Sequence, residues 1–312
     1  LGSTVVSFGE ALWDLLPTGP VLGGAPLNFA YRLNSLGNRG IVVSRLGKDN
    51  LGRKAHDQIV ALGMEDIYIQ WDGAYPTGTV EITFDQDNNP DYTIIENVAY
   101  DHIEFVDALE AVIERADCLC FGTLAQRNVV SRKTLQRLLS MFSGKYVLLD
   151  INLRKKCYSD ETLKSSLNRA NVVKLNDEEL TVLSEVLGLR GDSASEQADD
   201  LLLDVGLEYC VVTLGERGAL ALSKKGEKVY CPGYEVNLVD PCGSGDGFAA
   251  GFIHALLENR PLIEACRLGN ALGAVIARQD GATRPISYAE IMAFMDAHHP
   301  AIIENTLAEF MI

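Results

Sequence analysis

The sequence lacks any run of about 20 apolar residues, which excludes a transmembrane helix, and nothing at its start resembles a signal peptide. A soluble cytoplasmic protein is therefore expected. Positive charge is scarce: 27 Lys and Arg stand against 43 Asp and Glu, a formal net charge of -16. Such a chain repels phosphate backbones and anionic lipid at long range, so nucleic acid and membrane surfaces are poor partners. A small anion is not excluded, because backbone donors at short range outweigh a screened global field. The seven cysteines (Cys118, Cys120, Cys157, Cys210, Cys231, Cys242 and Cys266) are odd in number and form no pair of C-x-x-C units. That argues against a disulfide framework and fits a reduced compartment. His56, His102 and His254 are scattered and His298-His299 reads as an exposed pair, so no Cys/His cluster has zinc spacing. Two familiar phosphate-binding strings are also missing. Without G-x-x-x-x-G-K-[ST], or G-x-G-x-x-G after a first strand, a P-loop enzyme and a nicotinamide dehydrogenase are disfavoured.

What is present is a chain of 312 residues, 47% hydrophobic and 22% charged, enough for one large α/β domain over residues 1–312 with a sizeable core. Short apolar runs alternate with helical patterns. Strands are predicted at 4–9, 40–46, 117–122, 145–151, 171–175, 209–214, 219–223 and 228–231. Helices are predicted at 26–36, from a cap at Asp49 to about 62, and at 130–142, 177–187, 195–205, 244–258, 261–278 and 287–297. This order implies a mostly parallel central sheet with helices on both faces. Residues 12–22 and a hairpin at 77–97, turning through the polar stretch 85–90, interrupt the alternation and read as a small β lid on one edge.

Ligands of open parallel sheets bind beyond the carboxyl ends of the strands, and five small-residue or polar strings are candidates for that place. In Asp240-Pro241-Cys242-Gly243-Ser244-Gly245-Asp246, small residues stand directly before a helix. Its unpaired first N–H groups and dipole make an anion site, and Asp246 in the first turn could accept a proton from a bound hydroxyl. The same string is also an ordinary glycine-rich turn whose Asp starts a helix. In Gly23-Gly24-Ala25-Pro26-Leu27-Asn28 the glycines let a ligand pack on backbone, and Asn28 has donors and an acceptor that suit hydroxyls. Asn28 equally reads as a polar residue on a solvated helix face, and Asp14 as a turn residue. Asn176 and Glu179 form N-x-x-E at a helix start, the pattern of a capping box. Thr213-Leu214-Gly215-Glu216-Arg217-Gly218 reads as a hairpin, and Arg154 in Asp150-Ile151-Asn152-Leu153-Arg154 as an exposed loop base.

Residues 240–253 (DPCGSGDGFAAGFI) resemble the C-terminal signature of the ribokinase-type, or PfkB, carbohydrate kinases, D-T-x-G-A-G-D, with Pro241 for Thr and Ser244 for Ala. G-G-x-x-x-N at 23–28 resembles the family's N-terminal signature. The strings at 9–17, 24–30 and 150–154 are similar to the fructokinase branch in particular. The resemblance implies a ribokinase-like fold and phosphoryl transfer from ATP with Mg²⁺ to a primary hydroxyl of a sugar, fructose first. Other members act on ribose, adenosine or 2-keto-3-deoxygluconate, and a catalytically silent sugar-binding regulator is the remaining alternative. It further implies Asp246 as general base, and the N–H groups of Gly243, Ser244, Gly245 and Asp246 as anion hole. Asp14, Gly24, Asn28 and Arg154 would hold the sugar. Asn176, Glu179, Thr213, Gly215, Gly218 and Asn270 would serve the nucleotide. Glu179 would reach Mg²⁺ through water, and Asp240 with the 276–281 segment a monovalent cation such as K⁺. A homodimer through the lid strands is expected from the exposed edge.

Overall fold

The structure, a computed structural model, describes residues 2–17, 19–84, 90–154 and 157–311. Along the chain run β1 (Thr4–Phe8), β2 (Leu12–Leu16), β3 (Gly19–Gly23), α1 (Ala25–Ser35), β4 (Arg39–Gly47), α2 (Asn50–Ala61), β5 (Ile69–Asp72), β6 (Gly78–Phe84) and β7 (Pro90–Ile94). There follow α3 (Asp107–Ile113), β8 (Cys118–Phe121), α4 (Val129–Met141), β9 (Tyr146–Asp150), α5 (Asp160–Leu167), β10 (Val172–Asn176), α6 (Asp177–Leu187) and α7 (Ala194–Val205). The last third holds β11 (Tyr209–Thr213), β12 (Ala219–Ser223), β13 (Lys228–Cys231), β14 (Gly233–Tyr234), α8 (Ser244–Leu257), α9 (Leu262–Ala277), α10 (Tyr288–Asp296) and β15 (Ala301–Ile302).

The strands of the central sheet alternate between two apolar faces, so both sides must be covered. Val6, Leu119, Leu149 and Val173 point into one core with α3 to α7, while Val5, Cys118, Leu148 and Val172 point into the other with α1, α8, α9 and α10. The nine strands lie in the order β13-β12-β11-β10-β9-β8-β1-β4-β5. All neighbours from β11 to β5 are parallel, and only β12 runs the other way, antiparallel to both β11 and β13. From β1 the chain builds outward through β4 and β5, then returns to place β8 on the other side. The boundary between β1 and β8 is thus a switch point, where the loops leaving the strand ends diverge and open a crevice.

A second sheet, order β3-β2-β6-β7, is made from the interrupting segments. β2 and β3 form a hairpin, β6 and β7 another, and β2 joins them in parallel through Leu12↔Gly78 to Leu15↔Glu81. Trp13 of β2 is buried with Leu22, Leu27, Val42 and Ile59, and this apolar anchor fixes the second sheet to α1, α2 and β4. Of the turn expected at 85–90, residues 85–89 lie outside the described residues and Pro90 opens β7.

The structure also departs from the sequence expectation. β5, α3 and α5 were not anticipated. In β5 the polar Asp72 is buried, bonded to the Arg45 guanidinium at 2.7 Å, while Trp71 is partly exposed, so its alternation is masked. α3 has no side-chain cap at its start, and α5 carries only Leu163 and Leu167 as buried apolar residues. His299 is not part of an exposed pair: its ring stacks on Phe294 at 4.0 Å and bonds the Phe294 carbonyl.

Candidate active site

The 240–246 loop is built backwards from Asp240. Its carboxylate accepts from the Cys242 N–H at 2.9 Å and the Gly281 N–H at 3.1 Å, which curls the loop and ties it to the segment after α9. Gly243 then takes a left-handed conformation, φ 77°, as the N-cap of α8. A Cβ there would stand 2.4 Å from the Ala282 Cβ, so only glycine fits. The helix starts with the Gly247 N–H donating to the Gly243 carbonyl. Among the described residues the N–H groups of Gly243, Gly245 and Asp246 have no protein acceptor and stand at the positive end of α8. Ser244 corrects the expectation: its N–H donates to the Pro241 carbonyl at 3.1 Å and is not free. Its buried hydroxyl, instead, is unpartnered.

The N-terminal string meets this loop directly. Gly24 caps α1 at φ 116°, where a Cβ would collide with the Glu10 carbonyl at 2.4 Å. That tight entry, followed by Pro26 in the first turn, aims Asn28 inward. Asn28 is 4% exposed and donates through Nδ2 to Asp246 Oδ2 at 2.8 Å, across 218 residues of sequence. The solvated-face reading of Asn28 therefore falls, and its Oδ1 is buried without a partner. One turn on, Arg32 is fully buried and donates to the carbonyls of Arg284, at 2.7 Å, and Ala282. α1 thus carries Asn28 and also the strut that holds Ala282 against Gly243. Asp14, on β2, lies over Gly23, with Oδ2 2.8 Å from where a Cβ of Gly23 would be.

Acidic groups converge here. Burial pushes the Asp246 carboxyl up to about 6, and the Asp150 charge adds to this against the opposing pull of Asn28, Lys174 and Arg154. The residue as a whole is half-buried, while its carboxyl sits deep among protein atoms. Burial likewise lifts Glu10 to about 7, and raises Asp14. The exposed Arg154 guanidinium pulls all three the other way, so its charge reaches each of these acids. Glu10, Arg32 and Lys174 had not been singled out from sequence. The available signal was a charged residue set in an apolar stretch or directly after a strand.

On the other side, Asn176 and Glu179 do form a capping box: Asn176 Oδ1 accepts the Glu179 N–H at 2.7 Å, and Glu179 Oε2 accepts the Asn176 N–H at 2.8 Å. Glu179 Oε1 also accepts the Leu153 N–H at 2.8 Å, so the same carboxylate steadies the segment that carries Arg154. Asn152, between Asp150 and Arg154, has φ 42°, a left-handed turn that Asn tolerates. Thr213 ends β11 with its hydroxyl donating to the Leu175 carbonyl, and Gly215 and Gly218, at φ 61° and 90°, turn the chain into β12. Among the described residues these three make no bond to the Asp246 group. Asn270, expected beside the adenine, sits on α9. Its amide donates to the carbonyls of Cys231 and Pro232, at 3.0 and 3.1 Å, which leaves no N–H for a base.

The profile of the pfkB family carbohydrate kinases matches residues 19–288. "Probable fructokinase-5" of Arabidopsis thaliana is 28% identical, covering 89% of this chain and 92% of its own length. Fructokinase-1 of Zea mays is 26% identical over 89% and 93%. Among solved structures, the fructokinase of Xylella fastidiosa with bound ATP superposes with a TM-score of 0.83 at 20% identity, covering 95% and 98% of the two chains. The fructokinase of Vibrio cholerae O395, in fructose, ADP and calcium ion bound form, gives a TM-score of 0.79 at 25% identity over 94% and 99%. With its two signature loops joined by one hydrogen bond at the switch point of a ribokinase-like sheet, this chain belongs to the pfkB family of carbohydrate kinases.

Proposed function

We propose that the chain is a fructokinase, transferring the terminal phosphoryl group of ATP to a primary hydroxyl of fructose. The Asn28–Asp246 bond carries this reading, because it joins the hydroxyl-binding loop to the anion-binding loop at one carboxylate. The fructokinase relatives and the fructose and ADP of the Vibrio cholerae structure support the choice of sugar. Asp246 takes the hydroxyl proton on a carboxylate oxygen. Asn28 fixes that carboxylate and turns its unpartnered Oδ1 to a second hydroxyl. Asp14 accepts from further hydroxyls, Gly24 gives backbone access, and Arg154 balances the charge of the arriving phosphoryl group. The free N–H groups of Gly243, Gly245 and Asp246, with the Ser244 hydroxyl, receive that group at the start of α8.

Asn176, Thr213, Gly215 and Gly218 form the nucleotide side. Each Glu179 oxygen already accepts one N–H and keeps a lone pair for a water. Mg²⁺, held through that water and the phosphates, would neutralise charge on the transferring group. Asp240, bonded to Gly281, stands against the 276–281 segment where a monovalent cation such as K⁺ would lie. We read residues 1–312 as one α/β domain, with the second sheet as a cover that excludes water from the sugar. Seven unpaired cysteines accord with a cytoplasmic setting.

ADP release is the test, measured across fructose, ribose, adenosine and 2-keto-3-deoxygluconate. Fructose is expected to give the highest kcat/KM. Ribose or adenosine ahead of fructose would instead make this a sister kinase, and no sugar-stimulated release would leave the binding regulator. β3 and β7 are the edges of the second sheet, and an exposed edge invites pairing with a second copy. A homodimer through it is expected to sediment at about twice the mass of the 34.0 kDa chain. A monomer at micromolar concentration would sink that arrangement.

A further inference from the structure

Beneath the 243–246 loop lies an ion pair that the proposed mechanism leaves without a task. Lys174, on β10, is 8% exposed, and Asp150, at the end of β9, is 7% exposed. The lysine Nζ reaches both carboxylate oxygens, at 3.0 and 3.3 Å. An ammonium has three N–H donors, so one is left over. Nζ also stands 3.3 Å from the point where a Cβ on Gly245 would be, which puts the charge against the floor of the anion loop. Burying such a pair is costly in desolvation, and two packed apolar side chains would stabilise the fold as well or better. Its position, more than its contribution to stability, calls for an explanation.

We propose that Lys174 and Asp150 form a positioning pair for the transfer step, a fixed buried charge under Gly245 that holds the electrostatic balance of the Asp246 carboxylate. The inference rests on the reading of Asp246 as the base. The two members act on Asp246 in opposite senses: Asp150 disfavours its ionised form and Lys174 favours it. Other groups also face Asp246: Asn28 and Arg32 from α1, Glu10 after β1, Cys120 from β8, Arg154 after β9 and Cys242 from its own loop. Glu179 on α6 is the remaining charge that bears on Lys174. Lysine suits the task because its ammonium is a compact point charge that fits beneath a glycine, where a planar guanidinium would not.

The test is the pH dependence of kcat/KM for Lys174→Met, Asp150→Asn and the double variant, each with its melting temperature and sugar KM. Loss of Lys174 leaves two neighbouring carboxylates to repel, and the acid limb is expected to move up by about one pH unit. Loss of Asp150 is expected to move it down by a similar amount, and the double variant to return towards the parent. A pair with a structural role alone would lower the melting temperature and leave the limb in place. Limbs that stay fixed, or move in the same direction, overturn the proposal. Should Lys174→Met fail to fold, Asp150→Asn decides, and a limb that does not fall overturns it. Asp246→Asn separates the two readings: full activity removes the base assignment and this inference together, whereas an inactive Asp246→Asn with unmoved limbs removes the inference only.

Discussion

Asp246→Asn is expected to lose roughly 10²–10⁴ in turnover and, at the same time, to melt at a higher temperature. The loss follows from the missing base. Asparagine keeps the shape, and its side-chain carbonyl still accepts from Asn28, so the geometry around it should persist. The gain follows from burial. A carboxyl lifted to about 6 is ionised at pH 7.5 in a place that penalises its charge. The folded chain therefore holds this proton more tightly than the unfolded chain does. Its contribution to stability is present below the unfolded value near 4 and is lost as pH rises through about 6. Shifts of this size correspond to about 1–3 kcal/mol, and the partial exposure of the residue places the expected gain at the lower end. Calorimetry at pH 7.5, beside a coupled assay for ADP, reads both effects. An unchanged rate would remove Asp246 as the base, and an unchanged or lower melting temperature would remove the buried-charge penalty. For the unaltered chain, the same protonation predicts that kcat/KM falls as pH drops below about 6.

Gly243→Ala is the second large effect. The position has φ 77°, where an L-residue is strained by about 1–2 kcal/mol. The new methyl would also sit 2.4 Å from the Ala282 Cβ and 3.0 Å from its Cα. Ala282 cannot yield freely, because the buried Arg32 guanidinium holds its carbonyl. The loop must move instead, and with it the free N–H groups that receive the phosphoryl group. Removing one such donor costs about 10²–10³ in turnover elsewhere, and a shifted loop displaces several. A fall in kcat of at least that order is expected, with a small change in sugar KM. Ala282→Gly added to Gly243→Ala removes the methyl–methyl clash but neither the strain nor the close Cα, so recovery should be partial. A double variant no better than the single would show that the clash is not what displaces the loop.

Much of the fold was legible because its strands are buried on both faces and its helices carry stated starts. Asp49 caps α2 as the sequence implies, and the structure adds capping boxes of Ser193 with Glu196 and Ser287 with Glu290. β5 and α3 were illegible for local reasons: a buried Asp72 inverts the pattern of one, and the other begins on Val106 with no polar cap. At the site, the glycines and Asp246 could be read from strings, because helix starts and tight turns have local signatures. The bond from Asn28 to Asp246 could not, since it spans 218 residues and depends on how α1 packs on α8. Arg32 was harder still. Its acceptors are backbone carbonyls, which any residue supplies, so no side-chain type at 282 or 284 advertises the partnership. The Ser244 N–H was unreadable for the same reason: a backbone carbonyl claims a donor that the string left open.

The Arg32 strut also bears on the order in which the molecule is made. Its two carbonyl partners lie 250 and 252 residues further along the chain. A ribosome that has released only the first half exposes α1 with a guanidinium that has nowhere dry to go, and an unpaired charge of that kind resists burial. The apolar side of α1 can pack on β4 and α2 early, but the docking of its Arg32 face waits until residues 282–284 have emerged. When it comes, that single event seats Asn28, Ala282 and Gly243 together. A nascent or truncated chain ending before residue 282 would hold every strand of the central sheet, Asn28 and Asp246, and still lack the backing that fixes Gly243, so catalytic competence arrives late.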